Sequence, residues 1–180
     1  VVQPMGVVDV RIAETPEESE EIWQVRRNVS PSLRKINPDK FNEDIVVPRS
    51  KVPDMIRALE KIAARYQVPI VNFGHAGDGN IHVNVMVDLR QEGMAATVEE
   101  VMAKIFTTAV GLKGSLSGEH GIGTSKARFL GMELNAATIG YLRGIKKAFD
   151  PHNILNPGKI FFEADTQPAS VIEYEHEQET

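Results

Sequence analysis

His75-Ala76-Gly77-Asp78-Gly79-Asn80-Ile81-His82 separates two apolar, β-branched runs, residues 69–73 and 81–87, that read as strands. Asp-Gly between two such runs is a strong short-range hairpin signal. With the turn centred on Asp78-Gly79, His75 lies directly opposite His82, and their Cβ atoms stand roughly 5 Å apart on one face of the sheet. On the second arm Ile81, Val83, Val85 and Val87 alternate with His82, Asn84, Met86 and Asp88, so the histidines fall on the less apolar face. Two imidazoles so placed can reach one metal ion.

A second stretch, Ser117-Gly118-Glu119-His120-Gly121-Ile122-Gly123, supplies the residue types that such a site needs. Two histidines and a carboxylate form a common ligand set for a divalent transition metal with open positions. Glu119 is the third ligand in this reading, carried on a glycine-rich segment that can take tight backbone angles. The chain has no cysteine, so the site is built from N and O donors and suits Zn, Mn or Fe. In an extended segment adjacent side chains point apart, which leaves His120 free for chemistry as a general base titrating near neutral pH. Asn84, two residues along from His82 on its face, is placed to hydrogen-bond a substrate.

Outward from this centre the chain alternates strands and helices. Residues 7–12 read as a strand. Thr15-Pro16-Glu17-Glu18 combines an N-cap, a first-turn proline and a capping-box glutamate, and so starts a helix that runs through Ile22, Trp23, Arg26 and Val29 to an end near Pro31. Residues 45–47 form a short strand, and Pro53 opens a helix with the stripe Met55, Ile56, Leu59, Ile62 and Ala63. After the hairpin, Thr97 is expected to cap a helix with Val98, Val101, Met102, Ile105, Phe106, Ala109 and Val110 on its buried stripe and Gly111 at its stop. A short helix around residues 125–130 and a longer one over 136–149 follow. This order predicts an α+β domain, an antiparallel sheet with helices packed on one face.

Three motifs in order, H-A-G-D-G-N-I-H at 75–82, S-G-E-H-G-I-G at 117–123 and D-P-H-N-I-L-N-P-G-K at 150–159, resemble signatures of the C-terminal region of FAD-linked D-2-hydroxy-acid dehydrogenases. That family includes the glycolate oxidase D subunit, D-lactate dehydrogenases and D-2-hydroxyglutarate dehydrogenase. The resemblance covers residues 8–161 and implies a ferredoxin-like cap, the substrate-side domain, with FAD held on a separate N-terminal domain of the parent chain. It implies oxidation of a D-2-hydroxy acid to the 2-oxo acid. On this resemblance Arg26 clamps the substrate carboxylate, with Arg27 as its adjacent competitor and Ser30 as a supporting hydroxyl. Asn42 stands where some relatives place a substrate-binding lysine, with Lys40 near enough to substitute. That departure fits a glycolate- or lactate-type substrate better than a dicarboxylate. Asn156 and Lys159, in the N-P-G-K turn, are expected on the flavin side.

The resemblance further implies that the chain is a fragment, expected to be inactive alone, whose sheet lacks its first strand. The open sheet edge then favours a homodimer. Other oxidase subunits are implied partners, and the expected location is cytoplasmic, with the inner face of the membrane as a peripheral site.

Among the 180 residues, hydrophobic residues at 42% and charged residues at 25% are ordinary values for a single globular domain. Glu163, Asp165, Glu173, Glu175, Glu177 and Glu179, with no Lys or Arg among them, concentrate the net charge of −5 in residues 163–180 and leave residues 1–162, the domain proper, near neutral. Such a tail reads as a flexible, solvated end. No basic stripe with interleaved aromatics is present, which argues against nucleic-acid binding. His152 and His176 have no comparable setting and read as surface residues. Two rival readings use the same residues: a hydrolase acting through a metal-bound water, and a metal-stabilised interaction domain without catalysis.

Overall fold

The computed structural model describes residues 11–161. Most of the strand expected over 7–12 therefore lies outside the described residues, as does the acidic tail. Helix α1, Pro16–Ser32, begins as its sequence dictates. The Thr15 hydroxyl accepts the Glu18 N–H at 3.2 Å, and the Glu18 carboxylate accepts the Thr15 N–H at 3.3 Å. Each satisfies an N–H that the first helical turn leaves without a partner. Pro31 falls in the last turn, and the chain passes into a 3-10 turn over Leu33–Lys35.

Three strands follow: β1, Asp39–Val46, β2, Ile70–His75, and β3, Asn80–Val87. They pair antiparallel in the order β1-β3-β2. β1 is much longer than the strand expected over 45–47. Its first six residues, Asp39-Lys40-Phe41-Asn42-Glu43-Asp44, hide the strand pattern because Asp39 and Glu43, on the same face as Phe41 and Ile45, are charged, so no polar–apolar alternation shows. All eight residues of β3 are buried, as befits a central strand covered on both faces.

One face is the core. Phe41 and Ile45 of β1 and Ile81, Val83, Val85 and Val87 of β3 pack against two helices. These are α2, Val52–Tyr66, which contributes Met55, Leu59 and Ile62, and α3, Met94–Gly111, which contributes Val98, Val101, Met102, Ile105, Phe106 and Ala109. Both predicted stripes thus turn to the core where the 3.6-residue period placed them, with Ile56, Ala63 and Val110 half-buried at their margins. α3 starts earlier than expected, with Gly93 as its N-cap at φ +78°. Met94-Ala95-Ala96 are strong helix formers that extend the first turn, and the Thr97 hydroxyl bonds back to the Gly93 carbonyl at 3.3 Å instead of capping.

The short helix expected near 125–130 is a 3-10 turn, Ala127–Phe129, running into α4, Leu130–Glu133. α5, Ala136–Phe149, has its predicted bounds and is capped by Asn135, whose side chain accepts the Thr138 N–H at 2.9 Å. The far part of its apolar side stays open: Ile145 is 56% and Phe149 85% exposed. The architecture is α+β, an antiparallel sheet with helices packed on it. α2 and α3 share one face, while α1 sends side chains to the other.

Candidate metal and substrate site

The opposite face of the sheet carries Lys40, Asn42 and Asp44 from β1, Asn80, His82 and Asn84 from β3, and Val71, Phe73 and His75 from β2. The hairpin register differs from the expected one. His75 pairs with Asn80, and Phe73 pairs with His82. A two-residue turn centred on Asp78-Gly79, of type I′ or II′, needs positive φ at Asp78, but of the two only Gly79 has it, at +78°. The loop is therefore residues 76–79, closed by the His75 carbonyl, which accepts the N–H groups of Asp78 and Gly79 at 3.0 Å each. The register moves by two positions, and because side chains alternate with period two, both histidines stay on one face. Their ring centroids are 5.6 Å apart.

Glu119 joins them. One donor atom from each of His75, His82 and Glu119 lies within 4.8 Å of the other two. Glu119 Oε1 is 3.0 Å from His82 Nε2 and 4.0 Å from His75 Nε2. Donors about 2.0–2.2 Å from a common ion stand about 3–4 Å from one another, a range that the two separations from Glu119 Oε1 match. Burial pushes the His82 imidazole below its ordinary pKa more strongly than the Glu119 carboxylate raises it. That favours the neutral form, the one that can ligate. His82 is buried, whereas His75 and Glu119 are half-exposed, so the cluster opens to solvent on one side.

His120 comes to the same place. Its Nε2 is 3.7 Å from Glu119 Oε1, and its ring stacks on His82 with centroids 5.4 Å apart and 23° between planes. The alternation that would send the neighbours Glu119 and His120 apart requires extended backbone, and the loop is bent at 118–120.

Of the remaining expected residues, Arg26 lies with its guanidinium 5.3 Å from the Phe73 ring centroid, and that ring is 5.4 Å from the His82 ring. Arg27 instead pairs with Glu20. Ser30 and Lys40 are joined to each other, Lys40 Nζ donating to Ser30 Oγ at 2.7 Å, which ties α1 to β1 beside the site. Asn84 is fully buried. Its amide nitrogen donates to the Val71 carbonyl at 3.1 Å, and its carbonyl oxygen is a buried acceptor without a protein partner. Asn156 and Lys159 lie on the exposed return segment after α5. That segment is tied to the body by Lys146, which donates to the Leu155 carbonyl at 2.6 Å, and by the Ile160 N–H, which donates to the Gly123 carbonyl at 2.7 Å. These bonds serve the segment's own path rather than the histidine cluster.

Two residues that the sequence reading passed over sit behind the cluster. Asp44, opposite His82 in the β1–β3 register, is fully buried. Its carboxylate accepts the backbone N–H groups of Glu119 and His120, the Ser117 hydroxyl and the Lys126 ammonium. Burial alone would raise its pKa. The bonds from Glu119, Lys126 and His120 outweigh that and hold its carboxyl down to about 2. Lys126, also buried, stands 3.4 Å from Glu43 Oε2. The available signal was the alternation of β1, in which Phe41 and Ile45 mark one face and leave Asp44 on the face of His82.

The profile of the family described as FAD linked oxidases, C-terminal domain, matches residues 1–160. Among curated relatives, glycolate oxidase subunit GlcD of Bacillus subtilis (strain 168) is 43% identical over 154 residues, 86% of this chain and 33% of the relative. Glycolate oxidase subunit GlcD of Escherichia coli (strain K12) is 36% identical over 86% of this chain and 31% of the relative. D-lactate dehydrogenase of Anaerostipes hadrus is 34% identical over 90% of this chain and 34% of the relative. The chain spans about a third of the length of these relatives. With the three motifs and a match over nearly its whole length, the chain belongs to the family of FAD-linked oxidase C-terminal domains.

Proposed function

We propose that this chain is the substrate- and metal-binding part of an FAD-dependent oxidoreductase that oxidises a D-2-hydroxy acid, of glycolate or D-lactate type, to the 2-oxo acid. The observation that carries the reading is the convergence of His75, His82, Glu119 and His120 on one open point of the polar sheet face. His75, His82 and Glu119 would hold a divalent ion, which would supply Lewis acidity toward the substrate hydroxyl. FAD, held on the N-terminal domain of the parent chain that is this chain's partner, would supply the electron acceptor.

The chain's own residues do the rest. His120 takes the hydroxyl proton at Nε2, the nitrogen nearest the cluster. Asn84, on the same sheet face as His82, would offer the substrate its carbonyl oxygen, which has no partner among the described residues. Arg26, held over Phe73, clamps the substrate carboxylate by the paired N–H groups of its guanidinium. Ser30 and Lys40 form the adjoining polar wall. Asn156 and Lys159 belong to the flavin side, and the protein works in the cytoplasm or at the inner membrane face, beside other oxidase subunits.

The test has two parts. The 180-residue chain loaded with zinc is titrated calorimetrically with D-lactate and glycolate, and binding should vanish in His82→Ala. In the FAD-bearing parent, anaerobic addition of the same acids should bleach the flavin without NAD. A parent whose flavin stays oxidised under every D-2-hydroxy acid would sink the reading. Water-dependent cleavage of an ester in its place would favour the hydrolase.

A further inference from the structure

The geometry points to Asp44 as the positioning residue that bends the 117–121 loop so that Glu119 and His120 reach the His75–His82 pair. This deepens the metal-site reading and rests on it. Asp44 lies one strand over from His82 in direct register, so its carboxylate starts from a fixed place relative to a ligand of the sheet. From there it accepts two consecutive backbone N–H groups, those of Glu119 and of His120, the latter at 2.8 Å. Consecutive N–H groups aimed at one anion require a curled backbone, the anion-binding nest. In a strand they would point to opposite sides. The curl is what brings two neighbouring side chains to one point.

The rest of the loop is arranged around the same carboxylate. Ser117 Oγ donates to Asp44 at 3.2 Å and accepts the Gly121 N–H at 2.7 Å, closing the bend at its far end. A Cβ on Gly118 would come within 2.7 Å of the Asn80 side chain, so the loop lies flat against β3. Lys126 Nζ donates both to the Asp44 carboxylate and, at 3.0 Å, to its backbone carbonyl. A buried carboxylate is tolerated only when it is paired and fully hydrogen-bonded. Here both requirements are met by the loop it shapes and by one ammonium. Its acceptor sites are taken by these donors, so Asp44 acts through Glu119 and His120 rather than on substrate.

The experiment compares wild type, Asp44→Asn, Ser117→Ala and Val98→Ala in the full 180-residue chain. Asp44→Asn keeps the shape but removes the charge and faces an amide toward N–H donors. Val98→Ala, in the core under α3, lowers stability without touching the loop. Two quantities are read: zinc affinity by competition with a chelator, and hydrogen exchange of the Glu119 and His120 amides in metal-free protein. Loss of a partner that orients a ligand weakens metal binding about 10–100-fold. We expect that loss in Asp44→Asn, with exchange at the two amides faster by about tenfold or more, and a smaller loss of the same kind in Ser117→Ala. Val98→Ala should leave both within about twofold.

Zinc affinity in Asp44→Asn equal to wild type would overturn the assignment, as would an equal loss in Val98→Ala, which marks a general stability effect. Should Asp44→Asn not fold, Ser117→Ala decides by the same two readings. A wild type that binds no zinc would remove the metal reading, while the amide exchange would still decide whether Asp44 shapes the loop.

Discussion

His75 and His82 are diagonal rather than direct neighbours across the hairpin: His75 pairs with Asn80, His82 pairs with Phe73, and the two imidazoles meet edge to face with 79° between their planes. The two proposed ligands are therefore unequal. His82 is buried on the central strand, against the Phe73 ring and 3.0 Å from Glu119. His75 is half-exposed at the end of β2 and 4.0 Å from the same oxygen. Losing a ligand costs more than losing the partner that orients one, itself worth about 10–100-fold. Both His75→Ala and His82→Ala should therefore weaken zinc binding by more than about tenfold, His82→Ala by the larger factor. Elemental analysis and chelator competition check this, and unchanged zinc content in both variants would remove the site.

Glu119 and His120 are adjacent and converge, yet their variants should fail differently in the FAD-bearing enzyme. Glu119→Gln replaces the charged carboxylate of a proposed ligand, 3.0 Å from His82 and 4.0 Å from His75, with a neutral amide, so metal affinity should fall and KM rise together with the loss of kcat. His120→Ala leaves the three ligands in place. It should keep the metal and lose about two to four orders of magnitude in turnover, as for removal of a general base. Metal content measured beside steady-state kinetics separates the two. Metal loss in His120→Ala with retention in Glu119→Gln would exchange their roles.

Glu43 gives a pH prediction from the other side of Asp44. Burial raises its carboxyl above the ordinary value of 4.5, and Lys126 only partly offsets this. A carboxyl whose pKa is higher folded than unfolded favours the fold while protonated and disfavours it once both states would ionise. Its cost therefore grows as pH rises above 4.5. Glu43→Gln should melt higher than wild type at neutral pH, with the difference shrinking as the pH is lowered toward that value. A lower melting temperature at neutral pH would mean that the Lys126 pairing outweighs burial.

How much of this was legible follows from which rules apply locally. The face shared by His75, His82 and Asn84 could be read because period-two alternation survives a register error of two. The register itself could not, since Asp-Gly fits either the centre or the end of a turn and only the φ of Asp78 distinguishes them. The start of α1 was fixed by side chains within four residues of one another, Thr15 and Glu18. The bend at 118–120 was not legible from its own glycines. It is imposed by Asp44 and Lys126, whose contacts with the loop and with each other are set by the tertiary fold. The polar part of β1 escaped notice because Asp39 and Glu43 stand on its core face beside Phe41, which breaks the alternation that marks a strand.

The hairpin turn offers a contrast between two glycines. Gly79 has φ +78°, and a Cβ there would fall 2.0 Å from the Val47 carbonyl oxygen, a backbone atom that cannot rotate away. The Gly79 carbonyl in turn accepts the Val47 N–H at 3.0 Å, so the turn is fastened to the chain leaving β1. Gly77, two residues earlier, has no positive φ, and nothing lies within 4 Å of its would-be Cβ. Gly79→Ala combines left-handed strain with a backbone collision and should cost about 2 kcal/mol or more, a fall in Tm of about 4–8 °C for a chain of this length. Because the turn sets where His75 ends β2, zinc binding should weaken with it. Gly77→Ala should change stability by less than about 1 kcal/mol, and loss of backbone freedom in the unfolded chain makes a small gain the expected sign. Thermal melts of the two variants, with zinc affinity measured on each, test the pair. Equal melting temperatures would show that the turn relaxes around an alanine at either position and does not fix the place of His75.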